Sequence, residues 1–270
     1  MTGWTWDPTL YAGSAAYYAR GRVPYPPEIA TVLRDELGLD GTGRLLDVGC
    51  GPGSLTLLLA PLFAAATGVD ADADMIAAGR AADPAIDWRV LRGEELPAEL
   101  GTYRLVTFAQ SFHWMDRPRV AAAVHGMLEP GGALVHVGAT THEGSEVDGR
   151  HPAPPRAEIR ALVERYLGPG RRAGRSALPG GTTASGEDEI YRAAGFRGPR
   201  RVTVPDRVVT RDADQVVASV FSLSSSAPHL FGDRLPAFEA DLRALLAAAG
   251  PAGRFTERLS EIALDLWRPA

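Results

Sequence analysis

The sequence contains no lysine; all 28 basic residues are arginine. Without a lysine amine the chain cannot form a Schiff base with a carbonyl substrate or with pyridoxal phosphate. It also lacks the lysine of a P-loop, so its glycine-rich turn is not a Walker-type phosphate cradle. Cysteine is nearly absent as well. The single Cys50 excludes a disulfide within the chain and fits a reducing compartment. No apolar run approaches the roughly 20 residues of a bilayer span, and the stretch "MTGWTWDPTLYAG" has neither a basic leader nor an apolar signal core. A cytoplasmic protein with no membrane partner is expected. There is no excess of positive charge either: the net charge of −5 gives no field to condense on a phosphate backbone, so nucleic acid is not expected as a partner.

What is present is the balance of an ordinary folded chain, 45% hydrophobic and 23% charged over 270 residues. That length suits one large domain or a domain with an inserted cap. Short Val- and Leu-rich runs alternate with helical patterns, the signature of a parallel sheet covered by helices. Strands are predicted near 44–48, 66–70, 86–91, 104–109 and 132–138. Helices are predicted after the glycines, with Leu55, Leu58, Leu59 and Leu62 on one face, and over about 72–82, and again after "MDRPR". From about 140 to 185 the pattern gives way to Pro, Gly and Arg, interrupted by one helix near 156–167. Such a long irregular stretch predicts a functional insertion. A short helix, a strand over "PRRVTVPDRVVT", two more helices and a closing strand over "RLSEIALDLW" complete the chain. The expected organisation is an N-terminal helical lid at 1–40, a core at 41–139, an inserted substrate loop or cap at 140–185, and at 186–270 a return to the core with further cap helices.

The stretch "RLLDVGCGPGSLTLLLA" carries the chemistry. A strand ending at Val48 and turning at once into a helix presents free backbone N–H groups at the strand's carboxyl end, where open α/β sheets bind ligands. Gly49, Gly51 and Gly53 strip Cβ atoms from that turn, which lets a ligand approach the main chain. The spacing G-x-G-x-G, with Ser54 after it, departs from the dinucleotide pattern G-x-G-x-x-G. Asp47 beside the turn repels a pyrophosphate and attracts an ammonium group. Asp70, 17 residues beyond Gly53, stands near the spacing at which an acid binds both ribose hydroxyls. An adenosyl ribose joined to an amino acid is S-adenosylmethionine.

On these motifs the sequence resembles the class I S-adenosylmethionine-dependent methyltransferases. "LLDVGCGPG" and "GVDADADMI" resemble their glycine-rich and acidic motifs, "LRGEELP" the loop that frames the adenine, and "EPGGALV" the turn before the fifth strand. "YYARGRVPYP" and "SFHWMD" resemble a small-molecule subgroup that includes trans-aconitate methyltransferases. The resemblance implies a Rossmann-like, mostly parallel sheet of seven strands, the last antiparallel, with helices on both faces and a helical cap. It implies S-adenosyl-L-methionine as cofactor and S-adenosyl-L-homocysteine as product. Carried over, Asp47, Gly49, Cys50, Gly51 and Gly53 flank the methionine part, Asp70 holds the ribose, and Ala71 or Met75 packs on the adenine. Gln110 and Ser111 are counted with the cofactor-binding residues. Many relatives have an Asp where this chain has Arg92, which cannot accept a hydrogen bond. Either the Gly93 N–H and Glu94 take its place, or the adenine edge is more solvated.

His113 and Trp114 follow a strand's carboxyl end. His113 is the candidate general base or orienting residue, against a structural role for the same imidazole. Tyr18, Arg22 and Trp114 are the candidate substrate contacts, and the N-terminal aromatics Trp4, Trp6, Tyr11, Tyr17, Tyr18 and Tyr25 are either a lid, with Arg22 reaching an anionic group, or ordinary packing of an N-terminal helix on the sheet. Two arginine clusters, Arg171, Arg172 and Arg175 with Arg197, Arg200 and Arg201, are either an anion clamp or solvated surface. His142, Glu143 and His151 lack metal-site spacing, so no metal is expected. The expected function is methyl transfer to a small molecule, first to an oxygen (carboxylate or hydroxyl), with nitrogen or carbon as the alternative. The protein is expected to be a monomer or homodimer. A cofactor-binding subunit without activity is a further alternative. The chain has neither N-P-P-Y nor D-P-P-Y, which argues against methylation of a flipped base.

Overall fold

The computed structural model describes residues 7–169 and 186–270, with the backbone of 172–173 and 176–177. Helices α1 (Ala15–Gly21) and α2 (Glu28–Leu37) precede β1 (Arg44–Val48). The chain continues through α3 (Ser54–Leu59), β2 (Ala65–Asp70), α4 (Ala73–Ala82), β3 (Asp87–Val90), β4 (Tyr103–Ala109), α5 (Arg117–Gly126) and β5 (Leu128–Gly138). It then passes α6 (Arg156–Leu167), the two-residue strands β6 (Arg172–Ala173) and β7 (Ser176–Ala177), and α7 (Glu187–Ala193). The remainder is β8 (Phe196–Val204), β9 (Arg207–Asp212), α8 (Ala213–Phe221), α9 (Leu235–Ala249), β10 (Arg254–Leu259) and β11 (Ile262–Pro269).

The main sheet has seven strands in the order β3-β2-β1-β4-β5-β11-β8. The first five run parallel, and β11 is antiparallel to both β5 and β8. Alternation along each strand sorts its side chains between two buried layers. Leu45, Leu105 and Val135 pack with Ile29 and Leu33 of α2 and Leu55 and Leu59 of α3. Leu46, Val106 and Leu134 pack with Val120 and Val124 of α5 and Tyr191 of α7 on the other face. The helix-covered sheet predicted from the run pattern is therefore present, with the seven strands, Rossmann-like and mostly parallel, that the resemblance implies. Its strand order reverses at β1, between β2 and β4, so the crevice for a ligand opens at the carboxyl end of β1.

Two predicted strands prove to be four. Pro205 has no N–H to donate, and the chain leaves the main sheet there rather than running on as one strand. β9 then pairs with β10 in a separate antiparallel ribbon. The final segment likewise divides, and β11 lies between β5 and β8 rather than at an edge.

A third apolar layer is independent of the sheet. Ile159 and Leu162 of α6, Val216, Val220 and Phe221 of α8, and Phe238, Leu242 and Leu246 of α9 bury one another. Helix α1 is stapled to this layer. Ser14 Oγ donates to the Phe221 carbonyl at 2.8 Å, Arg20 pairs with Asp214 at 2.8 Å, and Arg22 Nε donates to Ser222 Oγ at 2.9 Å. The N-terminal segment and the helical layer thus hold together over the crevice.

Candidate active site

The first turn after β1 is built from three glycines at positive φ, and they serve different ends. A Cβ on Gly53 would stand 2.3 Å from the indole of Trp88, and one on Gly49 would stand 2.4 Å from Ser111 Cβ. Both residues are glycine because neighbouring side chains fill the space. Gly51 differs: a Cβ there meets only the Tyr18 ring, at 3.9 Å. Gly51 alone leaves open room where the turn faces the crevice.

That crevice is a cleft of about 650 Å³ whose lining includes Gly49, Gly51, Asp70, Ala71, Met75, Gly93, Glu94, Gln110 and Ser111, with Tyr18 and Trp114. Eleven of the candidate positions thus meet at one place. Tyr11, Leu91, Arg92 and Met115 line it too. Met115 was not selected from the sequence, although it sits in the quoted "SFHWMD". Its signal was the motif itself.

Asp70 ends β2 and is held by backbone donors. Gly51 N–H reaches Oδ2 at 2.8 Å and Asp72 N–H reaches Oδ1 at 2.9 Å. Burial nevertheless raises its pKa to about 6, because desolvation of the carboxylate outweighs those two bonds. Asp72, in turn, caps α4 by accepting from the N–H groups of Asp74 and Met75. Asp72, not Asp70, therefore caps the helix with its side chain, and the Asp70 carboxylate remains at the cleft.

Asp47 is placed differently from the sequence expectation. It is buried, and its oxygens accept the hydroxyls of Thr56 at 2.6 Å and Thr107 at 2.8 Å. It therefore ties β1 to α3 and β4, and burial pushes its carboxyl upward in pKa. Asp47 and Cys50 line a second, smaller cleft of about 390 Å³ with Tyr18, Arg22, Tyr25, Gly49 and Thr141. Burial also drives the Cys50 thiol well above its usual pKa, which makes it a poor nucleophile. Arg22 lies 4.8 Å above the Tyr18 ring and donates to Ser222 Oγ and to its carbonyl.

Glu94 accepts the Asp116 N–H through Oε1 at 2.8 Å, which fixes the loop after β3 against the start of α5. The Arg92 Nε lies 3.9 Å from both Glu94 and Glu95. Gln110 holds φ +59, an uncommon conformation for a residue with a side chain, at the end of β4. His113 and Gly53 are not among the residues lining either cleft. The His113 ring instead leans on Trp114, with centroids 4.6 Å apart. The Tyr11 phenol is raised to about 12 by burial, so it stays protonated at neutral pH.

The arginine pairs on β8 are engaged at the surface. Arg200 makes a two-pronged pair with Glu36, and Arg201 one with Asp265. Trp4, Trp6, Arg171 and Arg175 lie outside the described residues, as does the side chain of Arg172. Among the described residues no cluster of His, Cys, Asp and Glu is arranged to hold a metal. Among the described residues, no helix is long and apolar enough to cross a membrane.

Residues 45–132, the sheet segment that carries the glycine turn, match the methyltransferase domain family. The strand order and the glycine turn give the chain a Rossmann-like fold, and the matched segment is similar to a methyltransferase domain. An uncharacterized methyltransferase of Mycobacterium tuberculosis is 36% identical over 129 residues, 47% of this chain and 51% of that protein. A ubiquinone biosynthesis O-methyltransferase of Pseudomonas aeruginosa is 32% identical over 108 residues, 38% and 46% of the two chains. The match thus spans about half the length of these curated relatives. A solved structure from Anaeromyxobacter dehalogenans, provisionally described as a type II methyltransferase, shares the fold with a TM-score of 0.54 at 21% identity, covering 92% of this chain and 99% of its own.

Proposed function

We propose that the protein transfers the methyl group of S-adenosylmethionine to an oxygen of a small molecule. The observation that carries this reading is the Asp70 carboxylate, fixed beside the one glycine whose missing Cβ leaves the turn open. The residues present suit the cofactor. Asp70 offers a carboxylate to a pair of ribose hydroxyls, Ala71, Met75 and Leu91 offer an apolar wall for a purine, and Gly51 admits the amino-acid portion. When bound, the cofactor supplies a methyl group made electrophilic by a positively charged sulfur.

The chain's own task is then positioning and exclusion of water. Tyr11 and Tyr18 cover the cleft from the N-terminal segment, while Gln110, at the end of β4, borders both the cofactor cleft and the cavity beyond it. Transfer to a carboxylate requires no general base, and His113 stands outside the cleft lining. The O-methyltransferase among the matching relatives supports oxygen as the acceptor atom.

Calorimetric titration of cofactor-stripped protein with S-adenosylhomocysteine, alongside NAD, tests the assignment. Micromolar binding of the first and none of the second is expected. Preference for NAD, or binding of neither, would reject it.

A further inference from the structure

Beyond Gln110 lies a larger open cavity of about 1390 Å³, between α6 and the end of α8. One face of α6 lines it for the helix's whole length: Arg156, Ile159, Arg160, Val163, Glu164 and Leu167 recur at helical spacing. At 1.5 Å per residue that face runs about 16 Å. The rest of the lining includes Ser219, Val220, Leu223, Ser225 and Ser226. The cavity therefore has a guanidinium at Arg156 and an apolar strip formed by Ile159, Val163, Leu167, Val220 and Leu223.

At the polar end two guanidiniums share one buried carboxylate. Glu257 is fully buried and accepts from Arg211 Nη1 at 3.0 Å, from Arg156 Nη2 at 2.8 Å and from the Gly144 N–H at 2.8 Å. Arg211 is spent on this and on the backbone: it also donates to the carbonyls of His142, Gly21 and Gln215. It neutralises Glu257 without lining the cavity. Arg156 is the second cation on one carboxylate, and it does line the cavity. Its Nε is buried with no partner, and its Nη1 has only a long 3.4 Å contact to Ser219 Oγ. A guanidinium has five N–H donors, and a buried one with donors unspent calls for an acceptor. Arg22 adds positive charge nearby, since its partners Ser222 and His142 are not acids. Farther along the helix, Arg160 lies 3.8 Å from Glu143, and Glu164 follows a turn later. That end disfavours a second anionic group.

Building on the methyl-transfer reading above, we propose that this cavity takes a monocarboxylic acid with an apolar, chain-like body. The carboxylate sits at Arg156, toward Gln110 and the cofactor cleft. The body lies along Ile159, Val163 and Leu167 against Val220 and Leu223. Methylation of such a carboxylate releases no proton. An oxygen lone pair forms the new C–O bond, and the electron pair of the broken S–C bond remains on sulfur, giving a methyl ester and neutral S-adenosylhomocysteine.

The test titrates protein saturated with S-adenosylhomocysteine with hexanoate, decanoate and tetradecanoate and with their primary amides, then assays methyl ester formation from S-adenosylmethionine by mass spectrometry. The acids are expected to bind at least about 10-fold more tightly than the amides, as for a charge-assisted bond. Arg156→Lys keeps a charge opposite Glu257 but loses the Nε, and should weaken acid binding by about 10-fold with S-adenosylhomocysteine binding unchanged. Val163→Trp narrows the apolar body and should weaken tetradecanoate while sparing hexanoate. Equal binding of acids and amides, or no acid binding to protein that binds S-adenosylhomocysteine, overturns the acceptor assignment and leaves the methyl-transfer reading intact. Failure to bind S-adenosylhomocysteine overturns both.

Discussion

The Gly51 N–H donates to the Asp70 carboxylate at 2.8 Å, joining the turn after β1 to the end of β2. One bond therefore sets both the open edge of the glycine turn and the orientation of the acid beside it.

The affinity for S-adenosylhomocysteine should depend on pH through Asp70. Ribose hydroxyls donate to the ionised carboxylate, so binding favours loss of its proton, and in the free protein that proton is lost at about 6. Affinity is expected to be level above about pH 7 and to fall by up to about 10-fold per unit below 6. Asp70→Asn should weaken binding by about 10-fold or more and flatten the pH profile. Calorimetry between pH 5 and 8 checks both, and an unchanged profile in the variant would sink the ribose assignment.

The same group has an opposite signature in folding. Its pKa is raised in the folded state, so the ligand-free native protein binds more protons than the unfolded chain between about 3.8 and about 6. The Asp70 contribution to stability is greatest below that window and falls as pH rises through it. Thermal unfolding of Asp70→Asn should lack this component of the pH dependence.

Alanine at Gly51 and at Gly53 should separate binding from folding. Gly53→Ala drives a methyl group into Trp88 at a positive φ, and a loss of about 2 to 4 kcal/mol is expected. Gly51→Ala meets open space and carries only the conformational cost, about 1 to 2 kcal/mol, while its methyl obstructs the ligand edge. Denaturant unfolding and S-adenosylhomocysteine titration of the two variants measure this difference.

Thr56→Val or Thr107→Val removes one of the two hydroxyls on the buried Asp47 carboxylate. Each should cost about 1 to 3 kcal/mol, because a buried acceptor loses its partner. Urea unfolding reads the loss directly. A change under about 0.5 kcal/mol, the scatter of neutral surface substitutions, would mean that water replaces the hydroxyl.

Run pattern and turn chemistry in the sequence are enough to determine the parallel half of the sheet, but not the division of the later strands or the place of β11. The five parallel strands follow from short apolar runs between helical periods, and the ligand end follows from glycines at a strand's carboxyl terminus. Asp70 was legible for the same reason, since its distance along the chain reflects one β-α-β step. The excess of arginine donors at Arg156 was not legible. Arg156 opens the helix predicted near 156–167, but helical periodicity says nothing of its donors, and its buried partner Glu257 is 101 residues away. Nor did spacing distinguish the three glycines. Only the packed neighbours Trp88 and Ser111 show that two of them make room for side chains, while the third leaves space open at the cleft. Local chemistry fixes elements and turns within a few residues. Burial, unspent donors and the course of a cavity depend on which distant segments meet, and that was decided by the tertiary structure.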